Sequence, residues 1–138
     1  MNQPVHCILL IDDDPDDNYL HQLVISESGL CQTTRVAESG TEALRYLTQT
    51  NAPDYLRPDM IMLDINMPGM NGFEFLEQYH QLPDEQKSRL VVLMLTTSLN
   101  PDDRQRAGSI AEVTDYQAKP LTQAMLRQLV ADYFSKPA

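Results

Sequence analysis

The sequence predicts an α/β domain built on a doubly wound, five-stranded parallel sheet with five helices. Three short apolar runs are continuous rather than alternating, which is typical of parallel strands that are buried on both faces. Segments with helix-start signals lie between these runs, and the connections are short. Strict alternation of this kind implies right-handed crossovers and helices on both faces of the sheet.

Five segments are candidates for the strands. The strong candidates are residues 5–11 (VHCILLI), 60–63 (MIML) and 90–95 (LVVLML), and the weaker ones are residues 33–37 and 115–118. The carboxyl ends of parallel strands share one edge of the sheet. In such folds that edge is where ligand chemistry is expected.

Cap chemistry predicts the five helices. The first begins at an Asp-Pro pair, runs to about Ser28 and stops at Gly29. The second and third begin with a capping side chain and a glutamate three residues later, as in a capping box. The fourth follows an Asn-Pro pair, and the last runs through Phe134. The predicted caps are Asp14, Ser39, Asn71, Asn100 and Thr122.

Length and composition limit the classes of protein. The 138 residues suit one domain over residues 1–138, with its core at about 5–134, and we expect no output domain after the fifth helix. The net charge of -10 and the lack of a Lys/Arg cluster argue against a nucleic-acid partner. No apolar run approaches the roughly 20 residues that span a bilayer, and the start MNQPVHC is no signal peptide. We therefore expect a cytoplasmic protein that makes no membrane contact.

Polar side chains follow four of the predicted strands, where they should meet at one edge of the sheet. They are Asp12 and Asp13 after the first strand, Asp64 after the third, Thr96 after the fourth and Lys119 after the fifth.

The acidic residues at this edge predict a metal site. Asp12 and Asp13 continue a buried strand, where carboxylates are costly to desolvate. With Asp64 they would repel one another and raise each other's pKa values unless a cation were present. Magnesium fits because it accepts carboxylates, a carbonyl and waters in octahedral geometry. Helix capping explains the other acids of the run DDDPDD, which are Asp14, Asp16 and Asp17.

Asp64, Thr96 and Lys119 each have an ordinary explanation when taken alone. Asp64 could be the start of a turn, and Thr96 could be a β-branched residue at the end of a strand. Lys119 could be a surface lysine before a proline that begins a helix. Together they are an acceptor carboxylate, a hydroxyl donor and a fixed ammonium beside a metal. Those groups position and neutralise a phosphoryl group during its transfer.

Over about residues 5–134 the sequence resembles the receiver domains of two-component response regulators. The motifs ILLIDDD, MLDINMPGMNG, LTTS and AKP carry the resemblance, in the order that the family shows. The chain is similar to the chemotaxis type and to stand-alone regulators paired with phytochrome-like kinases. The resemblance implies a flavodoxin-like fold with strand order 2-1-3-4-5. It also implies a phosphoacceptor switch in phosphorelay signal transduction rather than an enzyme, one that at most catalyses its own phosphorylation and dephosphorylation.

The resemblance also implies a role for individual residues. A sensor histidine kinase would phosphorylate Asp64, and Thr96 and Lys119 would contact phosphoryl oxygens. Tyr116 matches the family's aromatic switch position, and the Lys119-Pro120 step matches a cis peptide bond. Output would pass through the face of helix 4, strand 5 and helix 5, to a downstream protein or to a homodimer. The implied magnesium ligands are Asp12, Asp13, Asp64 and the main-chain carbonyl of Asn66.

The sequence departs from the family's pattern in two places. Thr97, where the family usually has a small residue, could narrow access to Asp64, and residues 50–58 form an extension of unknown role. In the family, phosphoryl lifetime depends on the positions of Asn66 and Ser98. Ser98 lacks a carboxylate or amide that could orient an attacking water, so we expect slow self-dephosphorylation.

Three alternatives stay open at this point. A phosphatase or phosphotransferase with an aspartyl phosphate would place an acid/base aspartate two residues after the nucleophile, where this chain has Asn66. A pseudo-receiver would keep the fold without being phosphorylated. A flavin or nucleotide binder would need a glycine-rich loop after the first strand, and the acidic run there opposes a phosphate.

Overall fold

The computed structural model describes residues 3–89, 91–97 and 100–134, which form one parallel sheet flanked by helices. The strands are β1 (Val5–Ile11), β2 (Cys31–Ala37), β3 (Met60–Asp64), β4 (Val91–Thr96) and β5 (Asp115–Ala118). The helices are α1 (Pro15–Ser28), α2 (Gly40–Thr48), α3 (Gly72–His80), α4 (Pro101–Gly108) and α5 (Gln123–Tyr133). A 3-10 turn at Asp84–Gln86 lies between α3 and β4.

The predicted fold class is confirmed. The strand order is β2-β1-β3-β4-β5, and every neighbouring pair is parallel. The second strand begins at Cys31 rather than at residue 33, because Cys31 pairs with Val5 at the start of β1. The last helix ends at Tyr133, one residue before the expected end. Leu90, the first residue of the predicted fourth strand, lies outside the described residues.

Alternate residues of β1 enter two apolar layers. Leu9 and Ile11 pack with buried residues of α2 and α3 on one face of the sheet. Ile8 and Leu10 pack with buried residues of α1 and α5 on the other. This two-sided burial explains why β1 is continuously apolar. A carboxylate at the end of such a strand is poorly hydrated, so its charged form is costly unless a cation or a hydrogen-bond donor is near.

The helix starts show the predicted cap chemistry. The Asp14 side chain caps α1, and Gly29 ends that helix with φ at 70°, in the left-handed region. Asn71 and Glu74 form a complete capping box at α3, and Ser39 caps α2 by accepting a backbone N–H. The longest helix, α1, has 14 residues, and no helix within the described ranges is long and apolar enough to cross a membrane.

The extension at residues 50–58 is tied to α2 and β2. The Tyr46 hydroxyl donates to the carbonyl of Leu56 at 2.6 Å and accepts the Leu56 N–H at 2.9 Å. Arg35 of β2 donates to the carbonyl of Asp54 at 3.1 Å. The extension leads into the amino end of β3. Another part of it lies beside the carboxyl end of β2, where Tyr55 lines a cavity together with Ala37.

Candidate functional site

The carboxyl edge of the sheet brings the predicted polar residues together. Neighbouring strands β1, β3, β4 and β5 each end at this edge, so the residues there lie side by side. Asp64 pairs with Leu95, the residue immediately before Thr96. The residues at these four strand ends are Asp12, Asp64, Thr96 and Lys119.

Three carboxylates converge at this edge. Asp12, Asp13 and Asp64 each offer one oxygen, and these atoms all lie within 4.8 Å of one another. Asp12 and Asp64 are 4% and 5% exposed, whereas Asp13 faces solvent. A donor set made only of carboxylate oxygens is the kind that hard divalent cations prefer. These residues therefore fit a divalent metal ion.

The Lys119 ammonium balances the acidic group. Its Nζ lies 2.7 Å from Oδ2 of Asp12, 2.8 Å from Oδ2 of Asp17 and 3.2 Å from Oδ1 of Asp64. Burial, the largest single effect, lowers the pKa of Lys119, but the hydrogen bonds to Asp12 and Asp17 and the charges of Asp64 and Asp12 together raise that pKa above its ordinary value. The side chain, 8% exposed, is therefore a fixed positive charge inside the pocket.

The environment of Asp64 disfavours its charge. Burial, and then the neighbouring charge of Asp12, raise the pKa of Asp64 to about 6. The ammonium of Lys119 and the backbone N–H of Asn66 act in the opposite direction. Asp64 is thus a carboxylate whose negative charge depends on nearby cations.

Asp12 is held by the start of α1. The Asn18 side chain donates to the backbone carbonyl of Asp12 at 2.8 Å, and the Asp14 N–H donates to its Oδ1 at 3.0 Å. Asn18 is itself buried. The carboxylate next to Asp64 therefore has a fixed orientation.

A glycine allows α3 to begin directly against Asp64. The Gly72 N–H donates to the carbonyl of Ile65 at 2.8 Å. A Cβ at Gly72 would lie 2.7 Å from the backbone oxygen of Asp64 and 2.9 Å from Cα of Ile65. Any larger residue must displace backbone at the end of β3.

Thr96 and Tyr116 occupy the interior beside this edge. Thr96 is buried, and its carbonyl accepts the Lys119 N–H at 2.7 Å. Tyr116 is 5% exposed, and within the described residues its buried hydroxyl makes no hydrogen bond of normal distance and angle, although the backbone N–H of Asn100 is near enough to act on its pKa. Its ring therefore takes the inward position. Thr97 is exposed, and Ser98 lies outside the described residues.

Two residues at this edge were missed by sequence reasoning. Asp17 contacts Lys119, and the buried His21 accepts the Leu121 N–H at Nε2, at 3.3 Å. Burial, and then the charge of Lys119, lower the pKa of His21. The signal available was helical spacing, because residues 17, 18, 21 and 25 share one face of α1.

The Lys119-Pro120 peptide bond is cis, as expected. It lies between the residue that contacts Asp17 and the residue that contacts His21.

Together, the parallel fold and the acidic edge with its buried lysine define a receiver domain. The family model of the response regulator receiver domain matches residues 8–131, and the chain belongs to this family. Receiver domains are phosphoacceptor switches that accept a phosphoryl group from histidine kinases and bind a divalent metal in an acidic pocket. The resemblance found in the sequence is thereby confirmed.

The relatives include other response regulators. Response regulator Rcp1 of Synechocystis is 36% identical over 106 residues, which cover 74% of this chain and 69% of that protein. The crystal structure of its Mn²⁺-bound form has a TM-score of 0.74 at 28% identity and covers 96% of this chain and 97% of that one.

Two further crystal structures are similar along most of their length. A two-component response regulator from Cytophaga hutchinsonii has a TM-score of 0.84 at 33% identity and covers 93% of this chain and 96% of that one. The phosphorylated cyanobacterial phytochrome response regulator RcpA has a TM-score of 0.71 at 29% identity, with coverages of 92% and 89%.

Proposed function

We propose that Asp64 is the phosphoacceptor of this chain and that a sensor histidine kinase supplies the phosphoryl group. The observation that carries the proposal is the position of Asp64: it ends a buried strand beside two other carboxylates, with Lys119 Nζ 3.2 Å from its Oδ1. The phosphorylated form of RcpA, a relative with the same fold, supports it.

The reaction is a direct transfer to a carboxylate. A carboxylate oxygen of Asp64 forms a bond to phosphorus, and the bond between phosphorus and the donor's imidazole nitrogen breaks. The electron pair of that bond returns to the imidazole. Lys119 and the hydroxyl of Thr96 donate to phosphoryl oxygens, where negative charge must be neutralised. Burial keeps water from competing with these donors.

Magnesium is the metal that we assign to the site. Its ligands would be Asp12, Asp13, Asp64 and the main-chain carbonyl of Asn66, an all-oxygen set that this ion accepts. When bound, it would neutralise charge on the phosphoryl oxygens and on the carboxylates. The Mn²⁺-bound form of Rcp1 supports a divalent ion in such a pocket.

The readout that we propose passes from Thr96 to Tyr116. A phosphoryl oxygen is a strong new acceptor, and it would draw the Thr96 hydroxyl toward Asp64. The Tyr116 ring packs in the same apolar layer as β3 and β4, so a shift at Thr96 can change its position. The face of α4, β5 and α5 would then bind a downstream protein or a second copy of this chain.

Two rival functions have specific weaknesses. The exposed Asn66 stands where an aspartyl-phosphate phosphatase needs an acid/base carboxylate, so turnover of a substrate is not expected. A pseudo-receiver would lack part of the site, whereas every expected side chain is present here. The single-domain organisation and the cytoplasmic location stay predictions.

Intact mass spectrometry tests the proposal. The chain is incubated with acetyl phosphate in the presence and absence of magnesium, and the same is done with Asp64→Asn. We expect one phosphoryl adduct that requires magnesium and that Asp64→Asn does not form. Asp13→Ala should also lose it while keeping the fold by circular dichroism. An adduct that persists in Asp64→Asn rejects the assignment.

A further inference from the structure

We propose that Asp17 is a positioning residue for phosphorylation, which holds the Lys119 ammonium so that one of its N–H donors faces Asp64. The inference rests on the proposed function. Local cap chemistry accounts for Asp14, whose carboxylate accepts two backbone N–H groups of α1. Asp17 does something different, because its carboxylate contacts a lysine 102 residues further along the chain.

The contacts of the ammonium show how it is fixed. An ammonium has three N–H donors, and three carboxylates surround this one. The two shorter contacts, 2.7 Å and 2.8 Å, go to Asp12 and Asp17, while the contact to Asp64 is 3.2 Å. Two residues other than the acceptor therefore set the position of the nitrogen. The donor that faces the acceptor is the least tightly held of the three.

Asp12 and Asp17 differ in whether they belong to the carboxylate group that fits a metal ion. Asp12 belongs to the carboxylate group that fits a metal ion, so a metal and Lys119 share its oxygens. Asp17 stands outside that group and is 29% exposed. Its contact with Lys119 is therefore the one that metal binding leaves in place.

The inner face of α1 supports the whole segment that carries the lysine. His21, one turn after Asp17, accepts the Leu121 N–H. The contact of Asp17 with Lys119 and the contact of His21 with Leu121 lie on either side of Pro120. The same face of α1 also fixes Asp12 through Asn18. One helix thus positions both the cation and the carboxylate beside the acceptor.

Loss of Asp17 changes where the ammonium rests. With two carboxylates left, Lys119 moves toward Asp12 and Asp64 and covers the oxygen of Asp64 that must attack phosphorus. The donors for the phosphoryl group are then no longer in place before the reaction. We therefore expect that loss of Asp17 lowers the maximal rate of phosphorylation.

The test compares two neighbouring charge removals. Asp17→Asn and Asp16→Asn remove the same charge from the same helical turn, but Asp16 is exposed and makes no ion pair among the described residues. The rate of adduct formation is followed by intact mass at saturating magnesium and acetyl phosphate. Asp17→Asn should be slower than the unmodified chain by at least about fivefold, as for loss of a charge-assisted hydrogen bond. Asp16→Asn should stay within about twofold.

Two further measurements separate positioning from a structural role. Asp17→Glu keeps the carboxylate and should recover a rate well above that of Asp17→Asn. In urea unfolding, the effects of Asp17→Asn and Lys119→Met should be non-additive, because Asp17 acts through Lys119. Equal rates for Asp17→Glu and Asp17→Asn, or additive unfolding effects, overturn the proposal.

The outcomes also separate this inference from the proposed function. No adduct on the unmodified chain overturns both. An adduct on Asp64 that forms at the same rate in Asp17→Asn overturns the positioning role alone. Faster phosphorylation of Asp17→Asn overturns it too, since Asp17 would then withhold the lysine from the reaction.

Discussion

The Nζ of Lys119 lies 2.7 Å from Oδ2 of Asp12, which joins the end of β5 to the end of β1 across the width of the acidic pocket. Both side chains are almost fully buried. A buried charge that loses its partner is strongly destabilising. The lysine is therefore needed for the stability of the pocket as well as for its chemistry.

Lys119→Met should lower the free energy of unfolding in metal-free buffer by about 3 kcal/mol, because the buried carboxylates lose their cation. Magnesium should reduce this deficit, since it supplies positive charge to the same oxygens. Urea unfolding with and without magnesium measures both effects. Lys87→Met is the control, because Lys87 pairs with Glu112 and not with the pocket. A deficit that magnesium leaves unchanged in Lys119→Met contradicts the account.

Asp64→Asn should stabilise the metal-free protein near pH 7. The folded-state pKa of Asp64 is raised from 3.8 to about 6, so the folded chain binds this proton more tightly than the unfolded chain. The contribution of Asp64 to the stability of the unmodified protein therefore falls as pH rises from about 4 to about 6, by up to about 3 kcal/mol. The asparagine does not titrate. The stability advantage of Asp64→Asn over the unmodified chain should shrink as pH falls from about 6 to about 4, because Asp64 becomes protonated in the folded state and then also in the unfolded state.

Urea unfolding across this pH range, with a chelator present, checks the prediction. Asp16→Asn serves as the control because Asp16 is exposed. An advantage of Asp64→Asn that stays constant with pH would show that burial of charge is not its cause.

Tyr116→Phe should raise the free energy of unfolding by about 1 kcal/mol, because a buried hydroxyl without a well-formed hydrogen bond carries a desolvation cost. The ring, which packs in the apolar layer, is retained. Tyr46→Phe is the matched control: its hydroxyl makes two hydrogen bonds with Leu56, so that variant should lose stability. Thermal and urea unfolding measure both. Lower stability of Tyr116→Phe would mean that its hydroxyl is bonded in solution.

Gly72→Ala should destabilise the fold by about 1 to 3 kcal/mol, since its Cβ would lie 2.7 Å from the backbone oxygen of Asp64. Phosphorylation should slow as well, because the displaced backbone carries the acceptor. Gly108→Ala is the control, as nothing lies within 4 Å of a Cβ there. It should be neutral or slightly stabilising in α4. Equal stabilities for the two variants would contradict the close approach at Gly72.

The sequence predicted the fold well where local chemistry decides it. The Asp14 cap and the Gly29 stop act through neighbours in the chain, and the continuous apolar run of β1 is typical of a strand buried on both faces; all three are confirmed. The edge with Asp64 followed from the rule that parallel strands end together. These features needed no knowledge of side-chain contacts.

Tertiary contacts limited the prediction of the site. Asp17 has a sufficient local explanation as a residue of the first helical turn, and its contact with Lys119 depends on how α1 lies against the β5 end. The same holds for His21 and Leu121. The inward position of Tyr116 is also a packing result that a sequence pattern does not contain.

Reductive trapping shows which residue accepts the phosphoryl group. Sodium borohydride reduces an aspartyl phosphate to homoserine, so peptide sequencing by mass spectrometry after treatment with acetyl phosphate and magnesium reports the position of the acceptor. We expect homoserine at position 64 and nowhere else, and only in samples with magnesium. Homoserine at position 12 or 13, or an unmodified Asp64 in a sample that carries the adduct, would contradict it.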